Sequence, residues 1–236
     1  MYLEEFSELN EKYPQFFDLY KRFFIERFIY NNSELEGLTK SSFRKDFMFL
    51  MLEALKRVLE HNSDRITIQD IVEVGNTVNS LEGISGLRKI EVSAGKYAKF
   101  SPAPVSNIYM ALYSLLDNYY NVWNILTPFE REARFHIEFM RIHPFEDGNK
   151  RTAKIIMTGN LLKSSCAPVI ITEEDTDDYY NYLNNLDYDG FAEFLKQRSK
   201  MEMDNLVGLF KLCYDLPMDK TPDFGASYEL NLKKIK

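Results

Sequence analysis

Between its prolines the chain repeats apolar residues at spacings of three and four, a period that an α-helix satisfies and a strand does not. The eight prolines stand at 14, 102, 104, 128, 144, 168, 217 and 222, and the segments they punctuate carry the pattern. Over 105–123, Ile108, Leu112, Leu115, Leu116 and Tyr119 form one stripe of a helix; over 45–61, Phe47, Leu50, Met51, Leu55 and Val58 form another. Thr127, Pro128 and Glu130 spell an N-cap, a first-turn proline and an acidic third residue, so a helix is expected from there to Arg141. Ala133, Ile137 and Met140 would be its buried face. A further helix is expected from Asn149 to about Lys163, with Ile155, Ile156, Leu161 and Leu162 apolar. One stretch departs from the period. Residues 83–100 hold three of the ten glycines and alternate in part around Ser93-Ala94-Gly95, which predicts a short β-hairpin. A lone hairpin is marginally stable, so it should lean on the helices. The fold class expected is all-α, a helical bundle with one hairpin attached.

A chain of 236 residues is long enough to bury roughly 70–75% of its unfolded surface in one domain. An apolar fraction of 45% excludes a disordered chain. With 29 basic residues against 36 acidic, net charge −7, no bulk field attracts nucleic acid, and a polyanion would have to meet a local cluster of bases. Cys166 and Cys213 make neither a disulfide framework nor a zinc ligand set, which fits a reducing compartment. No apolar run approaches the ~18–20 residues that span a bilayer, and the start MYLEEFSELNEKY lacks a basic-then-apolar signal region. The expectation is a soluble cytoplasmic protein with no nucleic-acid or membrane partner. Pro217, Pro222 and Gly225 predict an extended tail over 217–236, ending in solvated lysines.

The chain has three histidines. His61 belongs to a polar helix end, and His136 sits within a helix where a structural role is expected. His143 opens the segment HPFEDGNKRTAK over 143–154. Pro144 ends the preceding helix and leaves His143 at a boundary where a side chain can face a cleft. Asp147 is a hard oxygen ligand suited to a divalent cation. Gly148 and Asn149 begin the next helix, where glycine allows close approach and the N-terminal N–H groups attract an anion. Lys150, Arg151 and Lys154 put three cations where the helix dipole opposes them, so an anion is expected there. A neutral imidazole beside a polyphosphate can take the proton of an incoming hydroxyl. The plain alternative is a capped loop followed by a basic, solvated helix end.

HPFEDGNKRTAK resembles the signature of the Fic/Doc family, H-P-F-x-[D/E]-G-N-G-R-x-x-R, matching at His143, Pro144, Phe145, Asp147, Gly148, Asn149 and Arg151. The segment GLRKIEVSAGKYAKFSPAPVSNIYMALYSLL is similar to the family's flap hairpin and the helix after it. Asn32-Ser33-Glu34-Leu35-Glu36-Gly37 resembles its inhibitory motif, and the runs beginning at Asp178 and Gly190 resemble the helices after the signature. The resemblance implies one Fic-type helical domain over 1–216, with the inhibitory segment near 31–37, the flap near 86–101 and the signature loop at 143–154. A homodimer would be in keeping with it.

It also implies an activity, transfer of AMP from ATP to a hydroxyl of a target protein. His143 would be the general base, Phe145 the anchor of the loop, and Asp147 the ligand of Mg²⁺. Gly148, Asn149, Lys150, Arg151 and Lys154 would bind the nucleotide's phosphates. Tyr179 and Tyr180 would line the adenine pocket or else pack within their helix. The flap around 89–97 would hold the target's chain by strand addition. Glu36 would reach Lys154 or Arg151 and inhibit. Two positions depart from the pattern: Lys150 replaces the third glycine and Lys154 the last arginine. Lysine after asparagine is found in Doc, which passes the γ-phosphate, so a Doc-like kinase is the alternative. A nucleotide-binding module with weak catalysis is another.

Overall fold

Helices occupy the segments that the apolar period marks. In this computed structural model, which describes residues 23–28, 31, 44–61 and 65–213, they are α1 (Arg44–Glu60), α2 (Ile68–Val78), α3 (Ile108–Asp117), α4 (Pro128–Ile142), α5 (Asn149–Lys163), α6 (Thr176–Asn185) and α7 (Tyr188–Cys213). The expected tail and the expected inhibitory segment around Glu36 lie outside the described residues. No helix among those described is long and apolar enough to cross a membrane.

The start of α4 follows its sequence signals closely. Thr127 accepts from the Glu130 amide, Glu130 accepts from the Thr127 amide at 2.8 Å, and Pro128 takes the first turn, where its missing N–H costs nothing. Thr67 and Asp70 build the same reciprocal cap on α2. α4 packs against α7, α5 and α3, while α1 covers α5 from the other side beside α2. α5 is therefore buried almost all round, from Asn149 to Leu161 apart from Lys150. Its first residues, Asn149 and Arg151, are buried with the rest.

Two expectations change. The single helix expected over 105–123 is a 3₁₀ turn, α3, then a π turn over Asn118–Val122 and another 3₁₀ turn over Trp123–Ile125. The wider turn carries Tyr119, whose hydroxyl donates to the fully buried Glu132 of α4; Asn160 of α5 donates to the other oxygen at 3.2 Å. Burial pushes the Glu132 carboxyl up to about 7, against the pull of those two donors.

The flap is the second change. No strand is present among the described residues, and 84–104 runs as an extended loop that turns at Gly95, φ 90°. Side chains replace the expected ladder. Glu91 accepts from the Val105 amide at 2.9 Å and pairs with Arg88 at 3.2 Å, which joins the two limbs at their base. The Arg88 amide donates to the Pro144 carbonyl and the Ala103 amide to the Arg141 carbonyl, so both limbs rest on the end of α4.

Candidate functional site

α4 ends on His143, which adopts a left-handed conformation, φ 52° and ψ 60°. That cap turns the chain sharply ahead of Pro144 and leaves the imidazole at the boundary of the core, 9% exposed. His143 Nδ1 lies 3.2 Å from the Met140 carbonyl. The tautomer that donates there carries its lone pair on Nε2. Burial holds the imidazole below its ordinary 6.5; the nearby Arg88 guanidinium reinforces this, and the Met140 bond and Asp147 oppose it. The ring is neutral at pH 7 and able to accept a proton.

The loop after His143 is braced from below. Phe145 is buried against α2, where Gly75 makes room for it; a Cβ at Gly75 would overlap the Phe145 ring. Asn149 accepts from the Phe145 amide and donates to the Phe145 carbonyl, both at 2.9 Å. The Asn149 carboxamide is thus bound to the loop. Its bracing bonds satisfy polar groups that burial would otherwise leave unpaired. Asn79 at the end of α2 donates to the Asp147 carbonyl at 2.9 Å.

Gly148 caps α5 with φ 70°. A side chain there would be strained in its backbone and would press on Asn79 and on Val78, its Cβ 3.0 Å from Val78 Cγ1. Gly148→Ala is expected to cost about 2 kcal/mol or more. A thermal melt checks this as a fall of about 4–8 °C in Tm.

The first hydrogen bond of α5 runs from the Thr152 amide to the Gly148 carbonyl, so the amides of 149–151 stand ahead of the ladder at the positive end of the helix. Arg151 does not point onward from there. Its guanidinium lies 3.2 Å from Glu82 and 3.3 Å from Asp147, with its side chain 3% exposed. One of the three expected cations thus has its counter-charge within the protein. Asp147 itself is open, with its side chain 56% exposed and one oxygen accepting from the Gly148 amide at 2.6 Å. No cluster of three or more metal-ligating side chains exists among the described residues. One exposed carboxylate fits a magnesium ion that arrives with phosphates and keeps several waters.

Lys150 and Lys154 line a cavity of about 270 Å³ beside this helix end. Tyr179, Tyr180 and Thr176 of α6 form a second wall and Ile171 to Glu173 a third. The flap tip, Lys96 and Tyr97, completes the lining. Tyr179 is buried, its hydroxyl lies 2.8 Å from His136 Nε2, and it also lines the cavity. His136 is structural, fully buried, with its pKa lowered to about 3 by burial and by Lys154. Lys154 is 2% exposed, its ammonium 5.8 Å from the centre of the Tyr179 ring. His61 is half-buried at the end of α1, away from the site, with Nε2 3.2 Å from the Arg65 carbonyl.

Residues 62–161 match the model of the Fic/DOC family. Protein adenylyltransferase Fic of Nematostella vectensis is 30% identical over 197 residues, 71% of this chain and 44% of that protein. The chain belongs to the Fic/DOC family. Protein adenylyltransferase fic-1 of Caenorhabditis elegans is 31% identical over 67% of the chain and 32% of its own length. The chain spans less than half the length of these curated relatives. Among solved structures, a Fic domain containing signaling protein from Bacteroides thetaiotaomicron superposes with a TM-score of 0.73 at 21% identity, covering 93% of this chain and 99% of its own. Fic-1 from C. elegans gives 0.72 at 21% identity, covering 90% and 72%. The Fic fold is therefore present around the loop 143–154.

The supports of the Fic signature are what sequence reading missed. Gly75, Asn79 and Arg88 bear on the loop from elsewhere in the chain. The one local signal was a glycine inside a helical pattern, at Gly75.

Proposed function

We propose that this chain is a protein adenylyltransferase that moves AMP from ATP to a hydroxyl of a target protein. The observation that carries the reading is a neutral, anchored imidazole at His143 on the same loop as an open helix N-terminus, which borders a cavity lined by two lysines. The relatives' names, protein adenylyltransferase, support it.

His143 Nε2 takes the proton of the target's Ser, Thr or Tyr as that oxygen bonds to the α-phosphorus of ATP. The α–β bridging bond breaks, and pyrophosphate leaves with its electron pair. The amides of 149–151 and the ammonium groups of Lys150 and Lys154 stabilise charge on the phosphate oxygens, and the rest of the acceleration is positioning. Asp147 would hold Mg²⁺, which would supply charge neutralisation to the departing pyrophosphate. Tyr179 and Tyr180 take the base, and the flap receives the target's chain. The free thiols of Cys166 and Cys213 support a cytoplasmic setting.

Glu36 inhibits by pairing with a cation of the phosphate site. Glu36→Gly is expected to raise transfer at least about fivefold, the effect of removing a coupling at the lower end of the usual range. An unchanged rate with α-labelled ATP would count against self-inhibition.

The Doc-like alternative draws on Lys150, which lines the cavity where the family has glycine. Parallel incubations with α-labelled and γ-labelled ATP divide the two. Label from the α position, and an added mass of about 329 Da, is the expected result; label from the γ position, about 80 Da, would replace AMP transfer by phosphoryl transfer.

A further inference from the structure

We infer that Asn184 is a positioning residue, a latch that makes the flap tip part of the nucleotide site and so couples nucleotide binding to order in the flap. The inference rests on the nucleotide reading of the cavity. Its own basis is how the tip is held. The flap has no ladder among the described residues, and Arg88 and Glu91 hold only its base. At the tip, Asn184 Oδ1 accepts from the Lys99 amide at 2.7 Å, while Asn184 Nδ2 donates to the Tyr97 carbonyl at 3.1 Å. The carboxamide thereby pairs with the two main-chain groups flanking Ala98, as a neighbouring strand's peptide groups would. One side chain does the work of the missing bridge.

The latch and the cavity share a helix face. Tyr180 and Asn184 are four residues apart on α6, so their side chains project to the same side. Tyr180 meets Tyr97 with ring centroids 5.2 Å apart, and both rings line the cavity. Beyond the tip, Arg141 covers the Phe100 ring at 4.8 Å and continues the attachment toward α4. With the latch closed, Lys96 and Tyr97 form a wall of the cavity. With it open, that wall is lost. A nucleotide that touches both α6 and the tip binds the closed form more tightly, and by linkage its binding orders the flap. The segment expected to hold the target's chain is then set in place by the first substrate before the second arrives.

Hydrogen exchange on the full chain tests this without any turnover. Without nucleotide, Asn184→Ala is expected to speed exchange over 95–101 by about tenfold, the effect of losing two hydrogen bonds of ordinary strength, with α4 and the rest of α5 unchanged. Saturating Mg·ATP should then protect 149–154 in both proteins, but 95–101 in the wild type alone. Equal exchange of the flap in the two proteins without nucleotide would overturn the latch. Flap protection by ATP that survives in Asn184→Ala would overturn the coupling. If ATP protects 149–154 in neither protein, the nucleotide reading falls and the coupling with it. The nucleotide-free comparison separates that failure from failure of the latch.

Discussion

Replacing His143 with alanine in a Glu36→Gly background lowers AMP transfer by about 10²–10⁴-fold, the usual contribution of a general base, with Tm close to the parent's. The imidazole adds one hydrogen bond, to Met140 at 3.2 Å, so its removal costs the fold little. What is lost is the Nε2 lone pair, at a residue whose left-handed backbone and Nδ1 contact fix its direction. The same group sets a pH dependence. Transfer as proposed requires neutral imidazole, and burial lowers the His143 pKa beneath 6.5. Activity is therefore flat from neutral pH to somewhat below that value and falls only as pH drops through the shifted pKa. Initial rates with α-labelled ATP, taken across pH for the Glu36→Gly protein and its His143→Ala derivative, check both points. The derivative's residual rate should lack the acidic limb.

Arg88→Ala is expected to be the most destabilising single change near the site. Arg88 is buried, with its side chain fully covered. Its Nε donates to the His143 carbonyl at 2.7 Å, Nη1 to the Ile90 carbonyl at 3.0 Å, and Nη2 to the Ala103 carbonyl. One guanidinium thus ties the turn that carries the base to both limbs of the flap. Its removal leaves these carbonyls without their donor, at about 1–3 kcal/mol for each one that stays buried. A loss of about 3–5 kcal/mol follows. Tm then falls by about 6–20 °C, at roughly 2–4 °C per kcal/mol for a chain of this size. Arg88→Lys recovers only part of this, since an ammonium cannot reproduce a planar fork of donors. Melts of the two variants beside the parent measure the difference. A fall in Tm below about 2 °C for Arg88→Ala would show that the flap base is held by other means.

What the sequence disclosed, and what it did not, divides by the range of each interaction. The start of α4 was legible because Thr127, Pro128 and Glu130 lie within four positions and each has one dominant structural use. The bounds of α1 and α5 followed from apolar period, and the loop 143–154 from residue types whose chemistry converges on a phosphate. The π turn left no local trace; its Tyr119 bonds a carboxylate buried on another helix. Glycine and alternation at the flap marked a reversal correctly, yet the pairing that secures it comes from side chains. Asn184 acts across 85 positions, Asn79 across 68 and Arg88 across 55. Asn149 also bonds the Phe145 main chain, and Arg151 meets Glu82 across 69 positions.

The orientation of the nucleotide is the point on which the account turns, and a crystal structure of the Glu36→Gly protein grown with Mg·ATP measures it directly. The expected result is an α-phosphorus facing His143 Nε2 across a space open to the flap, with the β- and γ-phosphates along the N-terminus of α5 toward Lys150 and Lys154. A γ-phosphate turned toward His143, or a triphosphate bound away from 148–154 altogether, would contradict it.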